Sequence, residues 1–599
     1  MKFSILAEHL EKIEKTSSRL EITQLLADLY KNLSAEELHY TAYLLQGRVG
    51  PLFESIEFGM AERMVIRSIG KSMQIDVSDF DKRYKQIGDI GETLQKYKEE
   101  ITSIEQYDLS IIEVFHELKK MAQSSGEGSQ EVKMNILAYL VRVADPLTAK
   151  YVVRIPLGML RLGFSDMTVL DAYSWMLTGD KKLRPLIEKA YHVRPDLGYI
   201  GRVLKEGEVQ GIEHVKPALF TPILMMRAER LSSADDIIKK IGTCAIESKY
   251  DGFRVQVHFN KQSGEVRIYS RNLEDVSYMY PDLIEGVQKE VIANEIIFEG
   301  EAIGFDSQTG SFLPFQETVQ RKRKHGIAEK AKEVPLKLFT YELLYAEGEN
   351  YLEIPFHERR KQLEHFIQTT GDIHKDTLLV TEEHITDNAK EFEILFEDAI
   401  AKGLEGIMAK KLDGIYQAGA RGWNWIKYKR SYSSQIDDTI DCLVMGYDFG
   451  KGKRVGFGIG AFLVGVYQEE LDQYVTIAKI GTGLTDDEWR ELQVKSETCR
   501  VKTKPSMYDV DKAMEVDVWI DPQIIVEIKA DEISRSPVHT AGRIMKPSKS
   551  GNAFDIEVSG YALRFPRLTR FRDDRRPGDS TTLTELEDMF KNQKQPTKK

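Results

Sequence analysis

The segment Val215-Lys216-Pro217-Ala218-Leu219-Phe220-Thr221-Pro222 divides this 599-residue sequence into two textures. Before it, stretches such as LEITQLLADLYKNL and IIEVFHELKKMA place apolar residues three and four apart, the period of an amphipathic helix. The prolines of the segment disfavour helix there. After it, CAIESKYDGFRVQVHF, EVRIYSRN, EIIFEGEAIGF and LKLFTYELLY alternate or are β-rich, bounded by Gly, Asn or Asp. Helical periodicity returns near 357–368 and 389–402. A helical stretch to about residue 210 and a mixed stretch to about 430 do not share one layer architecture, so the chain is multidomain. Length alone predicts about three to five domains, at ~100–200 residues each.

From Ile436 on, TIDCLVMGYDF, GFGIGAFLVGVY, QYVTIAKIG and QIIVEIKA are strand-like with glycine-rich turns, which points to a small β-barrel. In the helical part, Ser124 to Gln130 (SSGEGSQ) separates two helices, and Ser165 or Asp166 is placed to cap a further one. The tail from Asn592 is predicted to be disordered. Linkers near 210–222 and 430–436 are expected to permit large rearrangement. No apolar run is long enough to span a bilayer, and the N-terminus lacks a long apolar region with a cleavage site, so the chain reads as intracellular, without membrane contact. Cys244, Cys442 and Cys499 form no CxxC pair, which argues against structural zinc or a disulfide framework. The net charge of −12 argues mildly against nucleic acid. Local clusters argue the other way: Arg321-Lys322-Arg323-Lys324, Lys427-Tyr428-Lys429-Arg430, and six arginines from Arg564 to Arg576. Any one of them alone fits solvated surface equally well.

Lys249-Tyr250-Asp251-Gly252-Phe253-Arg254 is the central feature. A lysine at a sheet edge before a glycine turn can act as a nucleophile once its amine loses a proton, which nearby cations or partial burial promote. Alone, the pattern fits a surface lysine in a hairpin. Order and spacing change that reading. Downstream come Arg271-Asn272, Glu299-Gly300-Glu301, Phe339-Thr340-Tyr341-Glu342-Leu343, Glu405-Gly406-Ile407-Met408-Ala409-Lys410 and Trp425-Ile426-Lys427-Tyr428-Lys429.

This series resembles the nucleotidyltransferase motifs of ATP-dependent DNA ligases, and the resemblance extends over nearly the whole chain. Ser124 to Gln130 and Arg154 through Gly163 resemble the helical DNA-binding domain of the archaeal and eukaryotic replicative type. Asp531-Glu532-Ile533, Ser536-Pro537 and Leu563-Arg564-Phe565-Pro566-Arg567 resemble that family's C-terminal domain. The implied fold is an all-α DNA-binding domain over 1–210, an α+β adenylation domain over 211–430 and an all-β OB-fold domain over 431–599. The implied function is sealing of nicks in duplex DNA, with ATP and Mg²⁺ as cofactors and nicked double-stranded DNA as partner, by a chain acting as a monomer.

The resemblance also implies roles. Lys249 attacks the α-phosphorus of ATP and carries AMP. Glu301 and Glu405 lie near the metal and the nucleotide. Tyr341 stacks on adenine, Glu247 accepts from its exocyclic amine, and Arg254 contacts the ribose or the adenylate phosphate. Tyr341-Glu342 stands where the family usually has Phe-Asp, a mild departure because tyrosine also stacks; without the resemblance Tyr341 would read as core. Arg271 and Asn272 lie near the nick. Lys427 and Lys429 alternate across Tyr428, so a strand puts both on one face, where they suit phosphate neutralisation. In Arg572-Asp573-Asp574-Arg575, Arg575 replaces the usual lysine, which keeps the charge and changes the donor geometry toward pyrophosphate. Ser125, Gly126, Gly128 and Ser129 bring backbone amides close to DNA phosphates, and Arg154 and Arg161 are candidates for minor-groove or backbone contact. Gln106-Tyr107-Asp108-Leu109 is faintly like a sliding-clamp peptide and reads better as a helix start.

RNA ligases and capping guanylyltransferases share the lysine motif, and the long helical N-terminal region argues against both. The NAD-dependent bacterial ligases carry a four-cysteine zinc module that three scattered cysteines do not supply. A non-catalytic DNA-binding or scaffold protein is disfavoured by the intact Lys249, Asp251, Glu301, Glu405, Lys427 and Lys429.

Overall fold

The computed structural model describes residues 1–101, 107–231, 233–306, 311–313, 315–323, 326–402, 404–429, 439–450, 458–481, 484–547 and 554–593. The chain forms two compact units: Met1–Glu393 with Met408–Lys427, and Ile394–Ile407 with Tyr428–Lys599. Gln106, Lys324, Arg430 and the predicted linker at 430–436 lie outside the described residues.

The first unit opens with twelve described α-helices, from Phe3–Glu14 to Leu197–Glu213. Seven of them begin where the sequence supplies a side-chain acceptor for the orphan amides of the first turn. Ser34 and Ser110 form capping boxes with Glu37 and Glu113, and Asp145 caps Pro146–Arg154 with a proline at its start. Gly126 (φ +84°) and Gly128 (φ +79°) take the left-handed backbone that separates Ile111–Gln123 from Ser129–Val143. Ser165 stands at the cap position of Asp166–Thr178 without a side-chain cap bond, and the Asp166 carboxylate accepts from Gln46 and Tyr191 instead. The apolar stripes meet in one core, in which Phe3, Leu26, Leu38, Leu94, Leu137, Val153 and Ile200 are fully buried. The helix expected to start at Gln106–Leu109 begins later, at Ile111 with Ser110 as its cap, and Tyr107–Leu109 precede it outside regular structure.

Two sheets follow, in the first unit except for Gly406–Ile407 and Tyr428–Lys429. Their strands are β1 (Arg227–Arg230), β2 (Cys244–Lys249), β3 (Phe253–Asn260), β4 (Glu265–Ser270), β5 (Glu295–Asp306), β6 (Ser311–Phe312), β7 (Leu336–Ala346), β8 (Glu349–Asn350), β9 (Leu378–Val380), β10 (Glu383–Thr386), β11 (Gly406–Lys411) and β12 (Arg421–Lys429). One sheet runs β1-β12-β11-β2-β10. The other runs β4-β3-β5-β7-β8, with β6 on β5 and β9 on β7. Val255, Val257, Phe298, Leu338 and Leu363 form the core beneath the second sheet, under helices Pro281–Glu290 and Phe356–Phe366. The chain after Pro217 is not a loose tether. Ile223 and Met226 are fully buried and cluster with Tyr416 and Trp425.

The second unit is strand-rich. Ile440–Phe449, Ile459–Gln468 and Gln473–Ile480 are antiparallel neighbours, and Ile525–Lys529 pairs with both Ile440–Phe449 and Arg567–Phe571. Their inward residues Val444, Phe462, Val464, Ile477, Val526 and Ile528 make its core. The last helix, Leu583–Gln593, takes the first two residues of the predicted disordered tail into regular structure. No helix among the described residues is long and apolar enough to cross a membrane.

Candidate active site

Strand β2 is buried from Cys244 through Glu247 and emerges at Ser248 and Lys249. The chain must then turn tightly against β5. A Cβ on Gly252 would stand 2.3 Å from the Ala302 carbonyl oxygen, so only glycine fits. Tyr250 stacks on Phe339 at 3.9 Å, which pins the residue after the lysine. Strand β3 leaves the turn in register with β5, with Phe253 opposite Ala302 and Arg254 opposite Glu301. Lys249 is therefore presented, half-buried, at the end of a strand whose base is fixed in the core.

Glu247 is 2% exposed. Its carboxylate accepts from Lys410 Nζ at 2.6 Å and from Arg360 Nη1 at 2.9 Å. Lys410 also donates to the Tyr341 carbonyl at 2.7 Å and lies 4.7–5.0 Å from the ring centres of Tyr341, Phe356 and Trp425. Burial pushes the Lys410 pKa below its ordinary value, and Glu247 opposes that shift. Two cations on one buried carboxylate keep Glu247 in a single orientation.

Arg254 donates to Glu299 at 2.5 Å, to the Met226 carbonyl at 2.6 Å and to Tyr416 Oη at 3.2 Å. Burial alone would lower its pKa; Glu299 outweighs this and holds it well above the usual value. Its guanidinium lies 5.3 Å from the Trp425 ring and 5.8 Å from that of Tyr341, which meet edge to face. Arg254 Nε is buried without a hydrogen-bond partner among the described residues. Neighbouring Glu342 points to the opposite face of β7 from Tyr341 and forms a fully buried two-bond pair with Arg359.

The structure thus gathers Glu247, Arg254 and Tyr341, and sets Arg254 across from Glu301. Lys427 and Lys429 are partly exposed on either side of buried Tyr428, as strand alternation requires. In the second unit Lys429 pairs with Glu405 at 3.1 Å. Arg572 there is 10% exposed and held by Asp441, Glu527 and Asp574, whereas Arg575 is 44% exposed, 3.8 Å from Asp441. Arg271 and Asn272 are exposed in the turn after β4. Ser125, Gly126 and Gly128 are exposed, and Ser129 is half-buried at a helix start.

Arg154 does not fit a DNA contact. It is 1% exposed, and its guanidinium bonds Glu14 and Asp89 inside the helical core. Arg161, 52% exposed, reaches the same Asp89 at 3.3 Å from a left-handed backbone (φ +57°) and remains on the surface.

Sequence reasoning assigned no role to Lys410, Arg360, Glu299 or Tyr416. Their charges and hydroxyls carry no local sign that they converge on Glu247 and Arg254. It also gave none to Phe565, which is 57% exposed in a left-handed backbone (φ +51°), with Lys429 Nζ 4.9 Å from its ring centre.

The chain thus has a helical region, two sheets presenting a lysine beside buried carboxylates, cations and aromatic rings, and a strand-rich region. Comparison with known proteins narrows this. The family described as ATP dependent DNA ligase domain matches residues 225–429, DNA ligase N terminus matches 2–174, and ATP dependent DNA ligase C terminal region matches 456–575. A probable DNA ligase of Dictyoglomus turgidum is 46% identical over 595 residues, covering 99% of this chain and 98% of that protein. The DNA ligase of Acidianus ambivalens is 39% identical over 607 residues, with 99% and 98% coverage. A solved structure titled Pmar-Lig_PreS3 shares the fold, with a TM-score of 0.52 at 16% identity, over 94% of this chain and 99% of that one. The chain belongs to the ATP-dependent DNA ligase family.

Proposed function

We propose that Lys249 is the residue through which this ATP-dependent ligase carries AMP. Lys249 Nζ attacks the α-phosphorus of ATP, a phosphorus–nitrogen bond forms, and pyrophosphate leaves. The AMP passes to the 5′-phosphate at a nick, freeing the lysine, and the adjacent 3′-hydroxyl then displaces AMP to close the phosphodiester. The observation that carries this reading is β2 itself. It buries Glu247 between two cations and delivers Lys249 two residues later, at a turn that only Gly252 permits.

Glu247 accepts from the exocyclic amine of adenine, Tyr341 supplies the stacking face, and Arg254 meets the ribose or the adenylate phosphate. Such groups act by positioning and charge neutralisation, the main needs of phosphoryl chemistry. Among the described residues no group of three or more His, Cys, Asp or Glu could hold a metal. Mg²⁺ is bound by one or two carboxylates together with substrate phosphates and water. Glu301 and Glu405, one in each unit, are each a candidate holder, and the ion would offset charge on the phosphates. Lys427 and Lys429 face phosphate, and Arg572 and Arg575 orient the pyrophosphate. The segments 1–210, 211–430 and 431–599 serve as DNA-binding, adenylation and OB-fold domains of a monomer that binds nicked duplex. Ser125, Gly126, Gly128, Ser129, Arg161 and Asn272 contact the DNA, with Arg271 beside the nick. The antiparallel strands and the buried apolar core of the second unit support the OB reading.

The test supplies Lys249→Ala with two substrates. It should fail on a nick bearing a plain 5′-phosphate with ATP, and still seal a nick already bearing a 5′-adenylate. Sealing of both, or of neither while the parent seals both, would contradict the assignment.

A further inference from the structure

A chain of buried hydrogen bonds leads from the segment after the helical region to Arg254. Phe220 N–H donates to His258 Nδ1 at 2.9 Å, so the imidazole carries its proton on Nε2 and donates it to Gln256 Oε1 at 3.0 Å. The same Oε1 accepts from Ile223 N–H at 2.7 Å, while Gln256 Nε2 donates to the Ile223 carbonyl at 3.0 Å and to Glu299 Oε1 at 3.2 Å. Glu299 Oε2 in turn accepts from Arg254 Nη2 at 2.5 Å and from Tyr416 Oη at 3.1 Å. Met226 closes the circuit: its N–H donates to Tyr416 Oη at 2.8 Å and its carbonyl accepts from Arg254 Nη1 at 2.6 Å.

Gln256, His258 and Glu299 are all at 0% exposure. A buried donor or acceptor left unmade is costly, so these bonds form together or fail together. Arg254 spends two of its nitrogens on this circuit and keeps Nε free of partners among the described residues. A long arginine side chain otherwise gives up considerable rotamer freedom on binding a ligand. One already held in place does not.

We propose that residues 220–226 are a working part of the nucleotide site, and that Gln256, Glu299 and Tyr416 are positioning residues which translate the docking of that segment into the placement of Arg254. This rests on the reading of Arg254 as a nucleotide contact. The backbone that joins the helical region to the sheets then does more than connect them. Whatever loosens it weakens ATP use without touching Lys249.

The experiment uses the full chain and measures the rate of Lys249 adenylation against ATP concentration. Tyr416→Phe keeps the ring and removes one oxygen, and Gln256→Met removes the amide. Each should raise the KM for ATP by about tenfold or more, the effect of losing one hydrogen bond to a charged group. In an Arg254→Ala background the same changes should add less than about twofold, because the circuit acts only through that arginine. A general packing defect would add its full penalty in both backgrounds, and that result overturns the proposal. So does an unchanged KM in both single variants when Arg254→Ala is itself impaired. If Gln256→Met does not fold, Tyr416→Phe alone decides. Arg254→Ala adenylating with the parent's KM would instead remove the underlying reading of Arg254.

Discussion

Acid should undo the docking of residues 220–226 through a single imidazole. His258 is fully buried, its two nitrogens are committed to Phe220 and Gln256, and its ring meets the edge of Tyr269 at 4.9 Å. Burial pushes its pKa from 6.5 down to about 3. In the unfolded chain the imidazole returns to about 6.5. Between those two values the unfolded state binds the extra proton. The contribution to stability is therefore complete above about pH 6.5 and is lost progressively as the pH falls toward 3. Each pH unit in that window is worth ~1.4 kcal/mol, so a fall from pH 7 to pH 5 removes about 2 kcal/mol through this one residue. His258→Gln keeps a donor and an acceptor and does not titrate. Urea unfolding of parent and variant at pH 7, 6 and 5 should show their stability difference shifting against the parent by about 2 kcal/mol across the series. A difference that stays constant with pH would refute the reasoning.

Arg359→Met should lower stability by about 3–5 kcal/mol in the same assay, because it leaves Glu342 charged and fully buried without its two-bond partner. Gly252→Ala sets a methyl 2.3 Å from the Ala302 carbonyl, so the turn must shift; adenylation of Lys249 should fall by at least tenfold while the melting temperature drops only modestly. Arg154→Met and Arg161→Ala should separate cleanly in a salt titration of nicked-duplex binding. The first should destabilise the helical region and leave the slope of log affinity against log salt unchanged, and the second should lower that slope by about one unit.

The sequence made the gross architecture legible because the periods of helix and strand differ so sharply on either side of Pro217. The lysine turn was equally legible, since Lys249 to Arg254 is one contiguous motif, although what demands glycine at 252 is the distant Ala302 carbonyl on β5. Misreadings arose where partners come from afar. Arg154 sits in a run whose resemblance to a DNA-binding domain made it a candidate DNA contact, yet its carboxylates are supplied 65 and 140 residues away. The stretch around Pro217 and Pro222 reads as a flexible linker because prolines break helices. Its backbone is nevertheless claimed by Gln256 and His258, 33 and 38 residues later, which no windowed pattern registers. Lys410 and Arg360 belong to the same class. A lysine in a strand and an arginine on a helix look solvent-bound until the fold brings Glu247 to both.

Intact mass of the full chain after incubation with ATP and Mg²⁺, beside Lys249→Ala, tests the central claim most directly. The account predicts a gain of one adenylate in the parent, none in the variant, and loss of that mass when nicked duplex is added. An adenylate appearing on Lys249→Ala, or a parent that gains none, would contradict it.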